Sequence, residues 1–381
     1  MADLGTTLFG ARMPSPFILA SGPLSYDATG LWEAYRAGAG GIVTKTLRLE
    51  PAVNPTPHMV LPRSSNLRGT LFNTEKWADL PWQQWAAEEL PRMAGHPGLL
   101  IASIGHTPVE GVIAGPIAET GVVDAFECVA YTKETMVDLV RAVRARTDLP
   151  VLAKLTFNWG DELYAVAEAV LAAGASGFTA IDSIGPTLQI DVDTRQPTVG
   201  GSGNRAWMSG AAIRPVAQAV VAELATRFPS VPIVGTGGII QAEDAVEMTM
   251  CGAAALGVCT APLLRGLEWF ARTGEKLSAW LDEHGYASLD EARGVALPHL
   301  HPVDDTSRLE FAFEPLKCTK CNLCVVLCPY DAREMTGNTP KSPELQQVLY
   351  EERCRDCGLC VEVCKPGALS YANWPRAVGP G

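Results

Sequence analysis

Two runs of four cysteines constrain this chain more than any other feature. They are Cys318, Cys321, Cys324 and Cys328, then Cys354, Cys357, Cys360 and Cys364, eight of the 11 cysteines present. Both runs read C-x2-C-x2-C-x3-C. Gaps of two residues let one short loop wrap three thiolates around a cubane of four irons and four sulfides, and the fourth cysteine then reaches the neighbouring cubane. The spacing predicts two [4Fe-4S] clusters. Cys318, Cys321, Cys324 and Cys364 hold one; Cys354, Cys357, Cys360 and Cys328 hold the other. Zinc would use two C-x2-C pairs per site and leave the third and fourth cysteine of each run unexplained. Disulfides suit secreted chains, and no signal peptide is evident. One departure is small: Lys365 delays the second run's proline to Pro366.

At 381 residues, 47% hydrophobic and 19% charged, the chain has room for one large globular domain and one small one. No apolar stretch is long enough to span a bilayer. A net charge of −12 argues against nucleic acid as a partner. Many thiols without a secretion signal imply a reducing, cytoplasmic and low-oxygen setting.

Eight short apolar runs begin at Phe17, Gly41, Leu99, Ala125, Val151, Gly177, Ile233 and Ala254. Amphipathic helical patterns separate most of them, including 135–146 and 163–173. Strands alternating with helices over about 250 residues predict a parallel (β/α)8 TIM barrel, an α/β fold. Residues 6–13 read as a hairpin turning at Gly10 that plugs the barrel floor. Two long loops, 47–82 and 183–209, follow barrel strands and read as lids over the catalytic face. Residues 262–300 read as two helical stretches and a turn. The expected division is a barrel with helical extension over 1–300, a linker over 301–316 and a ferredoxin-like two-cluster domain over 317–381.

The ends of strands 7 and 8, Thr236-Gly237-Gly238 and Gly257-Val258-Cys259-Thr260, match the place where barrels bind phosphate through backbone N–H groups. Lys45 ends strand 2 and Lys154 ends strand 5. Two lysines in one barrel mouth are costly without an anionic partner. A reduced isoalloxazine is one such partner; a barrel carboxylate, Glu127 or Asp182, is the plainer one.

Residues 5–300 resemble the dihydroorotate dehydrogenase family of FMN barrels. The matching pieces are Ala20-Ser21-Gly22, Lys45-Thr46, Asn54-Pro55-Thr56-Pro57, Ala153-Lys154-Leu155, Ser209-Gly210, Ile213-Arg214-Pro215 and Thr236-Gly237-Gly238. With the cysteine segment and residues 288–298 added, the chain is similar to the iron–sulfur subunits of bacterial dihydropyrimidine dehydrogenases. The resemblance implies FMN across the barrel mouth. Gly210, Gly237, Gly238, Cys259 and Thr260 would bind its phosphate, and Ala20, Ser21, Lys45, Thr46, Lys154 and Ser183 its ring and ribityl chain. Asn73 would stand at a substrate-binding asparagine. The resemblance also implies a partner subunit carrying FAD and binding NAD(P), in a hetero- or homo-oligomer. No G-x-G-x-x-G for a nicotinamide cofactor follows a strand here.

The resemblance breaks after strand 4. The family has an asparagine and then a long loop bearing the catalytic cysteine or serine. Here Glu127-Cys128-Val129-Ala130-Tyr131 runs straight into a helix, with Cys128 expected at the asparagine's place. After strand 6 another family asparagine is replaced by Asp182-Ser183. A site lacking these groups would leave a pyrimidine's polar edges unpaired. The expected substrate is therefore a small organic molecule other than a pyrimidine, reduced or oxidised at a C=C bond. The catalytic candidates are Lys154, Lys45, Cys128 and His106, with Tyr131 and Asp182 as further proton donors. Arg48, His58, Arg63 and Arg68 in the first lid are candidates for holding an anionic substrate. An alternative is an electron-transfer module without substrate chemistry of its own.

Overall fold

A computed structural model describes residues 2–300, 304 and 306–374. Residues 301–303 and 305 of the expected linker, and 375–381 of the expected cluster domain, lie outside the described residues. The chain divides into two compact units, 1–300 and 301–381.

In the first unit all eight apolar runs become strands. They are Phe17–Leu19, Gly41–Val43, Leu99–Gly105, Ala125–Val129, Val151–Leu155, Gly177–Ala180, Ile233–Thr236 and Ala255–Val258. Each pairs in parallel with the next, and the last returns to the first, closing the barrel. Helices pack outside. The best-defined example, Lys133–Arg144, starts where the Thr132 hydroxyl accepts from the Thr135 N–H, a cap worth about 1 kcal/mol. It buries Met136, Val137, Leu139, Val140 and Val143.

Strand periodicity divides the interior into two cores. Ile18, Val43, Leu99, Ile101, Ala125, Leu152, Val234 and Ala255 point inward and pack with Leu8 and Met13. Those two residues come from the hairpin Thr6–Leu8 and Ala11–Met13, which plugs the floor as expected. The alternate positions, such as Phe17, Phe126, Cys128 and Phe178, point outward into the helix layer.

The two segments read as loops are not loops. Met59–Val60 and Thr70–Asn73 from one, with Ile184–Thr187 and Ala206–Gly210 from the other, form a four-stranded antiparallel sheet. Its register sets Trp207 opposite Asn73 and Gly210 opposite Thr70. Phe72, Val199 and Ala206 pack beneath it with Val60 and Met208. Strands of two to five residues interrupted by Gly and Pro leave no period-2 pattern long enough to read.

The second unit holds two antiparallel hairpins, Phe311–Phe313 with Leu369–Tyr371 and Arg333–Thr336 with Gln346–Leu349. Two single-turn helices, Leu323–Val326 and Leu359–Glu362, each follow a cysteine loop.

Candidate active site and cluster cavities

A cavity of about 180 Å³ opens at the C-terminal ends of the barrel strands. Its lining includes Ala20, Ser21, Lys45, Thr46, Asn73, His106, Lys154, Ser183, Gly210, Gly237, Gly238, Cys259 and Thr260. Of the barrel residues singled out from sequence, Cys128 alone among the catalytic and cofactor candidates is missing from it.

One side is a glycine cradle. Gly210 and Gly238 have φ of +83° and +81°, which L side chains rarely adopt. A Cβ on Gly210 would lie 2.1 Å from the Gly69 carbonyl oxygen, and one on Gly238 2.4 Å from Arg214 Cβ. Only glycine fits at these positions, and the backbone of Gly210, Gly237 and Gly238 lines the cavity. Ser209 Oγ and Thr260 Oγ1, 2.8 Å apart, join the two neighbouring loops. Behind the cradle, Arg214 pairs with the buried Asp244, whose other oxygen accepts the Ile240 and Gln241 N–H groups.

The lysines arrive already paired. Lys45 Nζ lies 2.6 Å from Glu75 Oε1 of the lid. Lys154 Nζ lies 3.6 Å from Glu127 and 3.8 Å from Asp182. Burial works against the Lys154 charge, but Glu127 and Asp182 outweigh it and raise the pKa above the usual lysine value. The carboxylate pairing anticipated as the plainer alternative is thus present. Glu127 is itself held by Thr179 Oγ1 at 2.8 Å and Ser103 Oγ at 3.4 Å. Ser103 continues through Thr46 to Ser21 at 3.0 and 3.2 Å. Cys259 has its thiol pushed up to about 11, chiefly by burial, and is protonated at neutral pH.

The same cavity carries an aromatic wall that sequence reasoning missed. His106 packs edge-on against Trp77 and stacks on Tyr131, and Tyr131 stacks on Trp207. Trp77 and Trp207 come from the two lid segments, so only the folded lid brings them together. Strand 4 ends at Val129 and its helix begins at Lys133. The wall therefore occupies the mouth where a long acid-bearing loop is absent. Burial first, and then the Arg48 guanidinium, lower the His106 pKa to about 4, which keeps the ring neutral at pH 7. Neither ring nitrogen makes a well-formed hydrogen bond, although the Val129 carbonyl is near enough to favour the protonated form slightly.

Three expectations need correction. Cys128 is fully buried and faces the helices. It sits one position off the inward register, which Glu127 and Val129 occupy, so it cannot reach the cavity; burial also pushes its thiol far up. Arg48 is bound at 2.8 Å to the buried Glu110 and stacks on Trp77. Arg63 pairs with Asp191, His58 bonds the Pro55 carbonyl and Arg68 is exposed. None of these four lines the cavity. Asn73 does, but its side chain already donates to the Trp207 carbonyl and accepts from the Glu75 N–H.

In the second unit the eight thiols ring two cavities. Cys318, Cys321, Cys324 and Cys364 line one; Cys328, Cys354, Cys357 and Cys360 line the other. The two loops share a conformation. Lys320 and Asp356 have φ of 55° and 53°, and Asn322 and Gly358 have 61° and 76°. Such left-handed positions turn successive N–H groups into an anion-binding nest. The Cys328 and Cys364 sulfurs accept from the Ala332 and Leu369 N–H groups at 3.4 and 3.3 Å, as thiolates would. Among the described residues, no group of three or more His, Cys, Asp or Glu side chains is placed to hold a single metal ion. Four thiols in each of two cavities, drawn three from one run and one from the other, fit two cubanes.

A barrel with a glycine cradle and paired lysines at its mouth, joined to a unit with two four-thiol cavities, defines a flavin-dependent iron–sulfur oxidoreductase. Comparison with known proteins makes this specific. Residues 123–281 match the dihydroorotate dehydrogenase family profile, and residues 317–368 match a 4Fe-4S dicluster domain. The chain is 34% identical to the catalytic subunit of dihydroorotate dehydrogenase B (NAD(+)) of Pyrococcus abyssi, over 77% of this chain and 99% of that one. It is 30% identical to NAD-dependent dihydropyrimidine dehydrogenase subunit PreA of Escherichia coli K12, over 97% and 96%. The chain belongs to the dihydroorotate dehydrogenase family of flavin-dependent enzymes acting on CH–CH bonds. Its cofactors are FMN and two [4Fe-4S] clusters. Among the described residues no helix is long and apolar enough to cross a membrane.

Proposed function

We propose that the chain is the subunit of a cytoplasmic redox complex that passes electrons between a partner protein, FAD- and NAD(P)-binding, and a small organic substrate at the barrel mouth. The likeness to a dihydropyrimidine dehydrogenase subunit over nearly the whole chain supports a partnered assembly. The substrate proposed is a conjugated C=C compound other than a pyrimidine. One observation carries this: the cavity holds both a cofactor cradle and a wall of Trp77, His106, Tyr131 and Trp207 where a pyrimidine site would need amide-pairing groups.

When bound, FMN supplies hydride exchange with the substrate and single-electron exchange with the clusters. The chain's residues do the rest. Gly210, Gly237, Gly238, Cys259 and Thr260 bind the phosphate through backbone. Lys45 and Lys154, held in place by Glu75, Glu127 and Asp182, present positive charge to the ring. Ser21 and Thr46 anchor the ribityl side through the hydroxyl chain to Ser103, with Ala20 and Ser183 packing beside it. Trp207 and Tyr131 offer flat faces to a conjugated substrate and exclude water. A neutral His106 offers an N–H to a substrate carbonyl, where negative charge develops on reduction. Asn73 closes the site from the lid.

Anaerobically purified protein, reduced by dithionite, should be reoxidised by conjugated enones or enoates and not by uracil or orotate. Reoxidation by the two pyrimidines alone would overturn the substrate reading. Reoxidation by no organic compound would favour a module that only relays electrons.

A further inference from the structure

A hydrogen-bonded pair joins the walls of the two thiol cavities. Arg333, 3% exposed, lines the cavity of Cys328, Cys354, Cys357 and Cys360. Gln347 lines the cavity of Cys318, Cys321, Cys324 and Cys364. Arg333 Nη1 donates to Gln347 Oε1 at 2.5 Å. Because arginine only donates, this bond fixes the amide's orientation and turns Nε2 away from it. Each residue keeps one buried donor without a well-formed hydrogen bond, Nη2 of Arg333 and Nε2 of Gln347, and the Arg333 guanidinium is within reach of the Cys360 sulfur in the same cavity.

The charge is equally unbalanced. Arg333 makes no salt bridge among the described residues; its guanidinium instead stacks 4.1 Å over Phe311, in the wall of the same cavity. A buried guanidinium stays protonated and is expensive unless an anion or hydrogen-bond acceptors compensate it. An unsatisfied buried donor adds its own desolvation penalty. A cubane held by four thiolates is an anion with sulfide acceptors, and it would remove both penalties. The other cavity has no cation in its own lining: beside its cysteines and Gln347 the polar members are Thr319 and Asn322, and the Arg333 charge is felt at Cys324 without a hydrogen bond to it.

We infer that Arg333 donates from Nη2 to the cluster of Cys328, Cys354, Cys357 and Cys360, that Gln347 donates from Nε2 to the other cluster, and that the guanidinium charge makes the first cluster the easier one to reduce. The inference rests on the two-cluster assignment. The step is a one-electron addition: no bond forms or breaks and no proton moves. Positive charge and N–H···S bonds favour the more negative, reduced cluster. The two clusters are thereby unequal stations for the electron, and the Arg333–Gln347 bond couples their surroundings.

The test is a potentiometric titration of the anaerobic holoprotein with dithionite, followed by EPR, with iron and sulfide counted on every sample. Wild type should show two potentials. Arg333→Gln should lower the higher one by the equivalent of at least a tenfold change in the reduction equilibrium, about 59 mV, and move the lower one less. Gln347→Met should lower chiefly the lower one and, by freeing Arg333 Nη1, move the higher one less. Arg333→Lys, which keeps the charge, should restore much of the loss. Intact clusters with unmoved potentials in Arg333→Gln would overturn the inference while leaving the clusters themselves standing. Loss of a cluster in both the Gln and Lys variants would show a merely structural arginine and overturn it too. Fewer than two clusters in wild type would overturn the assignment beneath it.

Discussion

Lys154 is where the residue scale decides most. It is buried between two carboxylates, and its own charge is what makes their presence tolerable. Lys154→Ala leaves Glu127 and Asp182 facing each other uncompensated, a loss of about 3–5 kcal/mol by the cost of breaking a buried pair. The expected outcome is a lowered Tm together with reduced FMN retention on gel filtration; unchanged flavin content would remove Lys154 from the cofactor site. Because its pKa is raised, the stability it contributes is complete below the free-lysine value of 10.5 and is lost only as pH rises past it. His106 behaves oppositely. Its pKa falls from 6.5 to about 4 on folding, so the unfolded chain binds the extra proton first and stability declines as pH drops through that window. His106→Phe should flatten the Tm profile between pH 6.5 and 4.5; a profile as steep as wild type would mean the ring is not buried in neutral form.

At the scale of elements, what could be read from sequence depended on the length of the pattern. The barrel strands were legible because eight apolar runs recur with helical stretches between them, and the floor hairpin because Gly10 marks its turn. Cys128 was misplaced because a four- or five-residue apolar run on a strand buried on both faces shows no alternation, so its register parity is invisible. The lid sheet was invisible because its strands are short and the pairing that joins its two halves spans more than a hundred residues. With it went the aromatic wall, since Trp77 and Trp207 meet His106 and Tyr131 only when that sheet forms. The only available hint was four ring residues just past strand ends or in the lid. The lid has its own small core, so Phe72→Ala should loosen it locally rather than unfold the barrel. Hydrogen exchange should accelerate in residues 59–73 and 184–210 and stay slow in the barrel strands; uniform acceleration would show that the lid and barrel are one cooperative unit.

For the whole molecule, the doubled cysteine spacing carried most of the information, because covalent ligation demands a spacing that packing does not. The four-and-four division of the thiols, crossing between the runs, reappears in the lining of the two cavities. Cys364→Ser should therefore damage the cluster of Cys318, Cys321 and Cys324, giving the same spectral loss as Cys321→Ser and leaving FMN in place. Loss matching that of Cys357→Ser would mean that each run holds its own cluster. The substrate was the least legible feature, since it depends on a cavity assembled from both lid segments and the ends of all eight barrel strands.

The account rests on one chain carrying both a flavin and two cubanes. Cofactor analysis of anaerobically purified protein tests that most directly. The account requires one FMN with about eight irons and eight acid-labile sulfides per chain. Zinc in place of iron, or a colourless barrel once the clusters are removed, would contradict it.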